Sequence, residues 1–307
     1  MSTAFITHPD CHRHNMGQHH PECPERLDAI QDHLIATGID IHLEYHEAPL
    51  ASMEQLLRAH SRRHVELIAD SAPEQGITHL DPDTAMNPGT WQAALRAAGA
   101  GVLATDLVLT GKVDNAFCAV RPPGHHAERT HAMGFCFFNN IAIAALHALE
   151  QWKLTRVAII DFDVHHGNGT ENILAGREDV LMVGAFQHPF YPYSGTEHPA
   201  ANMLNIPLPA GTRGAAFRDM VSEHWLPRLE EYAPQMLFIS AGFDAHLEDD
   251  MASLGLVEAD YAWLTTQLKQ IAGKHADGRI VSLLEGGYHL SALGRSVAAH
   301  LRVLADL

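Results

Sequence analysis

No apolar run in this 307-residue chain approaches the roughly 18 residues that a membrane-spanning helix needs. The N-terminal MSTAFITHPD lacks a basic region followed by a long apolar stretch, so no secretory leader is expected. Cysteine is scarce. Cys11, Cys23, Cys118 and Cys136 are the only four, and none forms a CxxC pair. Free thiols in a reducing cytoplasm are the simplest account, with Cys118 and Cys136 in apolar runs that belong to the core. Basic residues are also few: 20 Lys and Arg against 37 Asp and Glu give a formal net charge of -17. Such an acidic chain argues against a general nucleic-acid backbone binder. It suits a cationic substrate, although ordinary solubility is the plainer explanation. No internal repeat, low-complexity linker or charge block divides the chain. Its length allows one large core or two modest domains, and one domain over residues 1–307 is the reading adopted.

Histidine is the excess, with 24 residues. Several cluster: HPDCHRH and GQHH near the start, then PPGHHAERTH, then DVHHG. Such clusters can be metal sites, but a count alone establishes none. Short apolar runs alternate with helix-like stretches. The runs are AFITH (4–8), NAFCAV (115–120), RVAIIDFD (156–163), DVLMVGAF (179–186), QMLFISAGFD (235–244) and RIVSLLEGG (279–287). They read as buried strands of a mostly parallel sheet. Helices are expected over PECPERLDAIQDHLIATG, PGTWQAALRAAGAGVLATDLVLTG, NNIAIAALHALEQW, GAAFRDMVSEHWLPRLEEY, VEADYAWLTTQLKQIAGKH and LSALGRSVAAHLRVLADL. The alternation indicates an α/β fold with covered sheet faces. The long loop 187–202, QHPFYPYSGTEHPAAN, carries Phe190, Tyr191 and Tyr193, which suggest a packed loop lining a pocket.

In such sheets, ligand groups gather beyond the carboxyl ends of the strands. Four strand ends carry polar groups here: Arg121, His125 and His126; Asp161, Asp163 and His165; Asp244; and Glu285 with Tyr288. Their convergence says more than any single motif. In DFDVHHGNG, Asp161, Asp163 and His165 are spaced by two and share a face if the backbone stays extended. Carboxylate and neutral imidazole suit a borderline ion such as zinc. Asp163 and His165 would supply two ligands, and Asp244 is the best third candidate. The plainer alternative is a loop whose aspartates cap the next helix, GNGTENILAG. His125 and His126 follow two prolines and a glycine in a fixed turn, though His126 also fits a hydrogen-bonded core residue. A proton-shuttling imidazole needs a carboxylate or amide on its far nitrogen, and Asp161 and Asn168 are available. Glycines before Tyr288 permit close approach. A tyrosine hydroxyl there can donate to a developing oxyanion; a capping or interface aromatic is the alternative.

RPPGHHA, DFDVHHGNGT, SAGFDAH and LEGGY, in that order, closely resemble the zinc-dependent histone deacetylase family. That family includes acetylpolyamine amidohydrolases and acetoin-utilisation proteins. The resemblance runs from HPDC near residue 8 to about residue 290, and HPECPERL and GFDAH point to the class II branch. It implies the three-layer arginase/deacetylase α/β fold, a mainly parallel central sheet with helices on both faces. It also implies one catalytic zinc, where arginase-like enzymes use two manganese ions. Residue by residue, Asp163, His165 and Asp244 match the family's zinc ligands. His125 and His126 match its tandem histidines, His126 as general base and His125 as electrostatic partner. Asp161 matches the aspartate paired with His125 and belongs to a structural monovalent-cation site, usually potassium. Asn168 stands where class I members carry aspartate beside the second histidine, and class II relatives also use asparagine. An amide stabilises imidazolium less than a carboxylate does, so the pKa of His126 should sit lower. Tyr288 matches the catalytic tyrosine. Phe135 matches one wall of the acyl-lysine channel, Phe190 is the expected opposite wall, and Arg26 is expected beside the metal in the inner cavity. Asp81 or Asp83 would contact substrate at the rim, or cap the helix at PGTWQAAL. His166 is expected to be structural. The implied activity removes acetyl, or a related short acyl group, from acyl-lysine in a peptide or protein. Acetylpolyamine is the close alternative substrate, and a non-catalytic acyl-lysine binding module the remote alternative. A cytoplasmic enzyme with no nucleic-acid or membrane partner is expected, and a homo-oligomer is compatible with that expectation.

Overall fold

Runs such as VAIID (Val157–Asp161) and LFISA (Leu237–Ala241) are buried along their whole length. A strand apolar on both faces needs cover on both. The computed structural model, which describes residues 2–307, shows how that cover is arranged. In chain order the strands are β1 (Thr3–Thr7), β2 (Leu43–Glu47), β3 (Thr78–His79), β4 (Ala85–Met86), β5 (Asn115–Cys118), β6 (Val157–Asp161), β7 (Val180–Gln187), β8 (Met203–Leu208), β9 (Leu237–Ala241) and β10 (Ile280–Leu284). Strands β3 and β4 form a small antiparallel hairpin. The other eight make one sheet in the order β2-β1-β5-β10-β9-β6-β7-β8, and every pairing in it is parallel.

The helices are α1 (Glu25–Thr37), α2 (Met53–Ala59), α3 (Arg62–Ser71), α4 (Thr90–Leu109), α5 (Asn140–Glu150), α6 (Asn168–Leu174), α7 (Gly214–Met220), α8 (Leu226–Tyr232), α9 (Glu258–His275) and α10 (Leu290–Leu304). Two neighbours on β10 show that helices cover both faces. Ser282 Oγ bonds His300 Nε2 of α10 at 3.0 Å, while Leu283 packs under Gly101 of α4. Successive strand residues face opposite ways, so α10 and α4 lie on opposite sides. The result is the three-layer arginase/deacetylase arrangement. Among the described residues, no helix is long and apolar enough to cross a membrane. All four cysteines are free.

The six expected strands are β1, β5, β6, β7, β9 and β10. The two additional strands of the large sheet, β2 and β8, are its edges. β2 reads LEYHE and buries little, and β8 contains Pro207, which a central strand would not tolerate. The single helix expected over 214–232 contains a widened, π-type turn at Val221–Trp225. Pro227, two residues past its end, supplies no N–H to an ordinary α-helical ladder, so the widening sits where that ladder is interrupted.

Candidate active site: a metal triad beneath an apolar channel

Strands β5, β10, β9 and β6 are adjacent at the centre of the sheet. Their carboxyl ends bring together Asp163, His165 and Asp244, which offer ligand atoms all within 4.8 Å of one another, and all three residues are buried. His165 Nδ1 lies 3.0 Å from Asp163 Oδ1 and 3.2 Å from Asp244 Oδ2. Asp244 Oδ1 accepts from Val164 N–H at 3.0 Å, which leaves Oδ2 buried with no hydrogen-bond donor. Burial and the neighbouring Asp163 raise Asp244 to about 6. Two buried carboxylates held against one imidazole repel each other, and a divalent cation relieves that repulsion. The N/O donor set therefore fits a borderline divalent ion such as zinc. Gly286 makes the cradle possible: a Cβ there would stand 2.1 Å from Asp244 Oδ2 and 2.7 Å from Asp163 Oδ2. The capping alternative for this loop does not hold, because the N-cap position of α6 is Gly167 and no side chain caps it.

Beyond β5, Glu285 fastens the turn that carries the tandem histidines. Its Oε2 accepts from Gly124 N–H at 2.7 Å and His125 N–H at 3.1 Å. His125 Nδ1 meets Asp161 Oδ2 at 3.0 Å, and His126 Nδ1 meets Asn168 Oδ1 at 2.7 Å. The rings sit 4.0 Å apart between centroids, yet their environments diverge. Burial alone would depress His125, but Asp163, Asp161 and Glu285 together raise it well above its ordinary value. Burial, His125 and His165 hold His126 well below its own. The low value expected for His126 thus comes first from desolvation and not from the choice of Asn168. His166 turns elsewhere: its ring bonds Ser194 Oγ and Glu171 Oε2, both at 2.8 Å.

A cavity of about 280 Å³ leads to this floor, lined by Asp83, His126, Gly134, Phe135, His165, Phe190, Tyr191, Met251 and Tyr288. Phe190 stacks on His165 with ring centroids 5.5 Å apart, and Phe135 meets Tyr288 edge-on at 5.9 Å. Phe135 reaches the channel because Gly134 adopts φ +56°, where a Cβ would strike the His126 ring at 2.4 Å. Tyr288 is seated through its backbone, since Asp249 Oδ2 accepts the N–H groups of Tyr288 and His289 at 2.6 and 3.0 Å. Burial, with Asp244 and Asp163 near, pushes the Tyr288 hydroxyl well above its ordinary pKa, so it stays a donor. Tyr193 is 76% exposed and does not line the channel, unlike its loop neighbours Phe190 and Tyr191.

Two expectations need correction. Arg26 does not line the channel; it lies buried behind Tyr288, its guanidinium 5.0 Å from that ring's centroid. It donates to the carbonyls of Gly287 at 2.7 Å and Glu285 at 2.5 Å. Its partner Glu22 also receives Arg121 Nη2 at 2.6 Å. This buried frame ties the PECPER segment to the strand ends, so Arg26 acts on the shape of the site from behind. The second correction concerns capping. Neither Asp81 nor Asp83 caps α4, whose N-cap position is held by Gly89 with no side-chain cap. Asp81 Oδ1 closes the β3–β4 turn on the N–H groups of Asp83 and Thr84, and Asp83 stands at the channel.

Sequence reasoning did not single out Glu22, Asp249, Met251 or Glu128. Each sits in a quoted motif or beside one, but nothing local distinguishes Asp249 from Glu248 or Asp250. Only the fold reveals which acid turns inward.

The model of the histone deacetylase domain matches residues 20–304. The histone deacetylase-like amidohydrolase of Pseudomonas aeruginosa is 38% identical over 88% of this chain and 72% of its own length. The polyamine deacetylase HDAC10 of Homo sapiens is 34% identical over 99% of this chain and 48% of its length. The crystal structure of the HDA15 HD domain superposes with a TM-score of 0.93 at 32% identity, covering 99% of this chain and 90% of that one. Its triad, tandem histidines and channel stand on a chain that belongs to the histone deacetylase domain family.

Proposed function

We propose that residues 1–307 work as one zinc-dependent deacylase that removes acetyl, or a related short acyl group, from the side-chain amine of acyl-lysine. The observation that carries this reading is the meeting of His126, His165 and Tyr288 at the end of one apolar channel. Asp163, His165 and Asp244 would hold the zinc ion, whose chemistry there is to polarise the acyl carbonyl and acidify water. The channel walls, Phe135 and Phe190, hold the lysine methylenes and exclude bulk water. His126, kept neutral by burial, takes the proton of the attacking water. Tyr288 donates its hydroxyl to the oxyanion. Asp161 holds His125 beside the base through its Nδ1, and a protonated histidine returns a proton to the departing amine. Acetate and a free amine result. A structural monovalent cation is also implied near Asp161, whose carboxylate already meets His125 Nδ1 and Asp163 N–H.

Acetylpolyamine is the second reading, favoured by the relative named a polyamine deacetylase and by Asp83 at the channel. Met251 lines the channel as well and adds an uncharged thioether to its apolar walls. That supports acyl-lysine as the first choice. Specificity constants on acetyl-lysine peptides, acetylputrescine and acetylspermidine decide between them, and a strong polyamine preference overturns the choice. Zinc content with acetate release tests the reaction itself. Replacing His126 with alanine should lower turnover by about 10²- to 10⁴-fold while zinc content is kept. Near-normal turnover in that variant removes His126 from its assigned role.

A further inference from the structure

We propose that Glu128 is a positioning residue that fixes the tautomer of His126 through the side-chain amide of Asn168, an inference that rests on the hydrolase reading above. Asn168 meets His126 with one end of its amide and Glu128 with the other. Oδ1 lies 2.7 Å from His126 Nδ1, and Nδ2 donates to Glu128 Oε1 at 3.0 Å. An amide alone is ambiguous in such a place. Turned over, it would offer N–H to His126 Nδ1 and drive the ring proton onto Nε2. A neutral imidazole protonated on Nε2 cannot take a proton there. Glu128 removes the ambiguity. An ionised carboxylate only accepts, so the NH₂ end must face it. Oδ1 is then left for His126, and His126 Nδ1 has to donate. Nε2 keeps its lone pair for the channel that His126 lines. Met133 Sδ, 3.3 Å from Asn168 Nδ2, is a weaker acceptor that favours the same orientation.

The backbone presents this carboxylate firmly. Glu128 N–H donates to His131 O at 2.8 Å, and Glu128 O meets His60 Nδ1 at 2.9 Å. Glu128 and Asn168 line a separate surface cavity of about 320 Å³, and neither lines the substrate channel. Glu128 therefore acts on the base and leaves the substrate untouched. Aspartate at position 168 would need no such help, because a carboxylate accepts from His126 either way up. Beside Glu128, however, it would stand against a like charge.

The test uses zinc-loaded protein labelled with ¹⁵N-histidine, and reads tautomers by long-range ¹H–¹⁵N NMR alongside kcat and KM on an acetyl-lysine peptide. In the wild type, His126 should carry its proton on Nδ1. Glu128→Ala should move part or all of that proton to Nε2 and lower kcat about tenfold to a hundredfold, the scale of such supporting partners, with KM little changed. Adding Asn168→Asp should return the proton to Nδ1 and recover most of kcat. The same Asn168→Asp change with Glu128 present should be less active than the double variant. Glu128→Lys is a second probe, because its donor would turn the amide over, and Asn168→Asp should again repair it. A Glu128→Ala protein that keeps Nδ1–H, or a loss of kcat that Asn168→Asp does not recover, overturns the proposal. Absence of hydrolysis by the wild type would defeat the deacylase reading, while the NMR comparison would still decide the tautomer.

Discussion

At the scale of single residues, the buried histidines divide into groups with opposite consequences. His60 and His300 lie outside the triad and are held neutral, both at about 3, with burial the first cause. His60 is bound at both nitrogens, meeting Glu128 O at 2.9 Å and accepting Asn139 N–H at 2.8 Å. His300 lies between Thr265 Oγ1 and Ser282 Oγ, at 2.7 and 3.0 Å. In the unfolded chain a histidine titrates near 6.5. As pH falls, the unfolded state therefore binds these protons first. Their contribution is complete above about 6.5 and is lost as pH falls toward the folded values, at up to about 1.4 kcal/mol per pH unit for each histidine. Urea midpoints at pH 7 and pH 5 measure this. Histidine 300 replaced by glutamine should show a shallower pH slope than the wild type, and equal slopes would show that His300 does not carry the effect. The sequence displays 24 histidines and cannot say which are neutral. Pairing chemistry selected His125, His126 and His165, because adjacent acids and motifs marked them. His60 and His300 have no such marks, since their partners are backbone groups and hydroxyls brought in by the fold.

At the scale of elements, the central strands were legible and the rim was not. Uninterrupted apolar runs mark β6, β9 and β10 because both faces are covered. β2 and β8 are edges, relieved of that requirement, and carry LEYHE and a proline. Helices α2 and α3 had a local signature, since Ser52 and Gln55 form a reciprocal capping box and Ser61 caps His64 N–H. The segment after β10 has no fold-independent signal of its importance. Its Gly286 passes so close to Asp163 and Asp244 that any side chain must displace a carboxylate. Gly286→Ala should leave the sheet intact, judged by the thermal transition. Zinc retained after dialysis should fall severalfold, and turnover by about 10²-fold, as a displacement of order 1 Å at reacting groups costs. An alanine variant that keeps full zinc and full turnover would show that the carboxylates tolerate the displacement.

At the scale of the whole molecule, a net charge of -17 surrounds a channel with Asp83 among its lining residues. A field of that sign attracts cationic substrates from a distance, and salt cancels it. The Debye length is about 10 Å at 0.1 M and about 3 Å at 1 M. An acetyl-lysine peptide flanked by arginines should thus be processed with roughly tenfold higher kcat/KM at low salt than one flanked by glutamates, within the range such steering produces. Raising ionic strength should close the gap by lowering the value for the basic peptide. No gap at low salt would mean that the charge serves solubility alone. A gap that persists at 1 M would place the preference in direct contacts at the rim, with Asp83→Asn as the variant to confirm it. Acyl-lysine in a basic peptide and an acetylpolyamine both carry positive charge, so this field would recruit either one. Under the proposed function the choice between them would be made inside the channel, which Phe135, Phe190 and Met251 help to line.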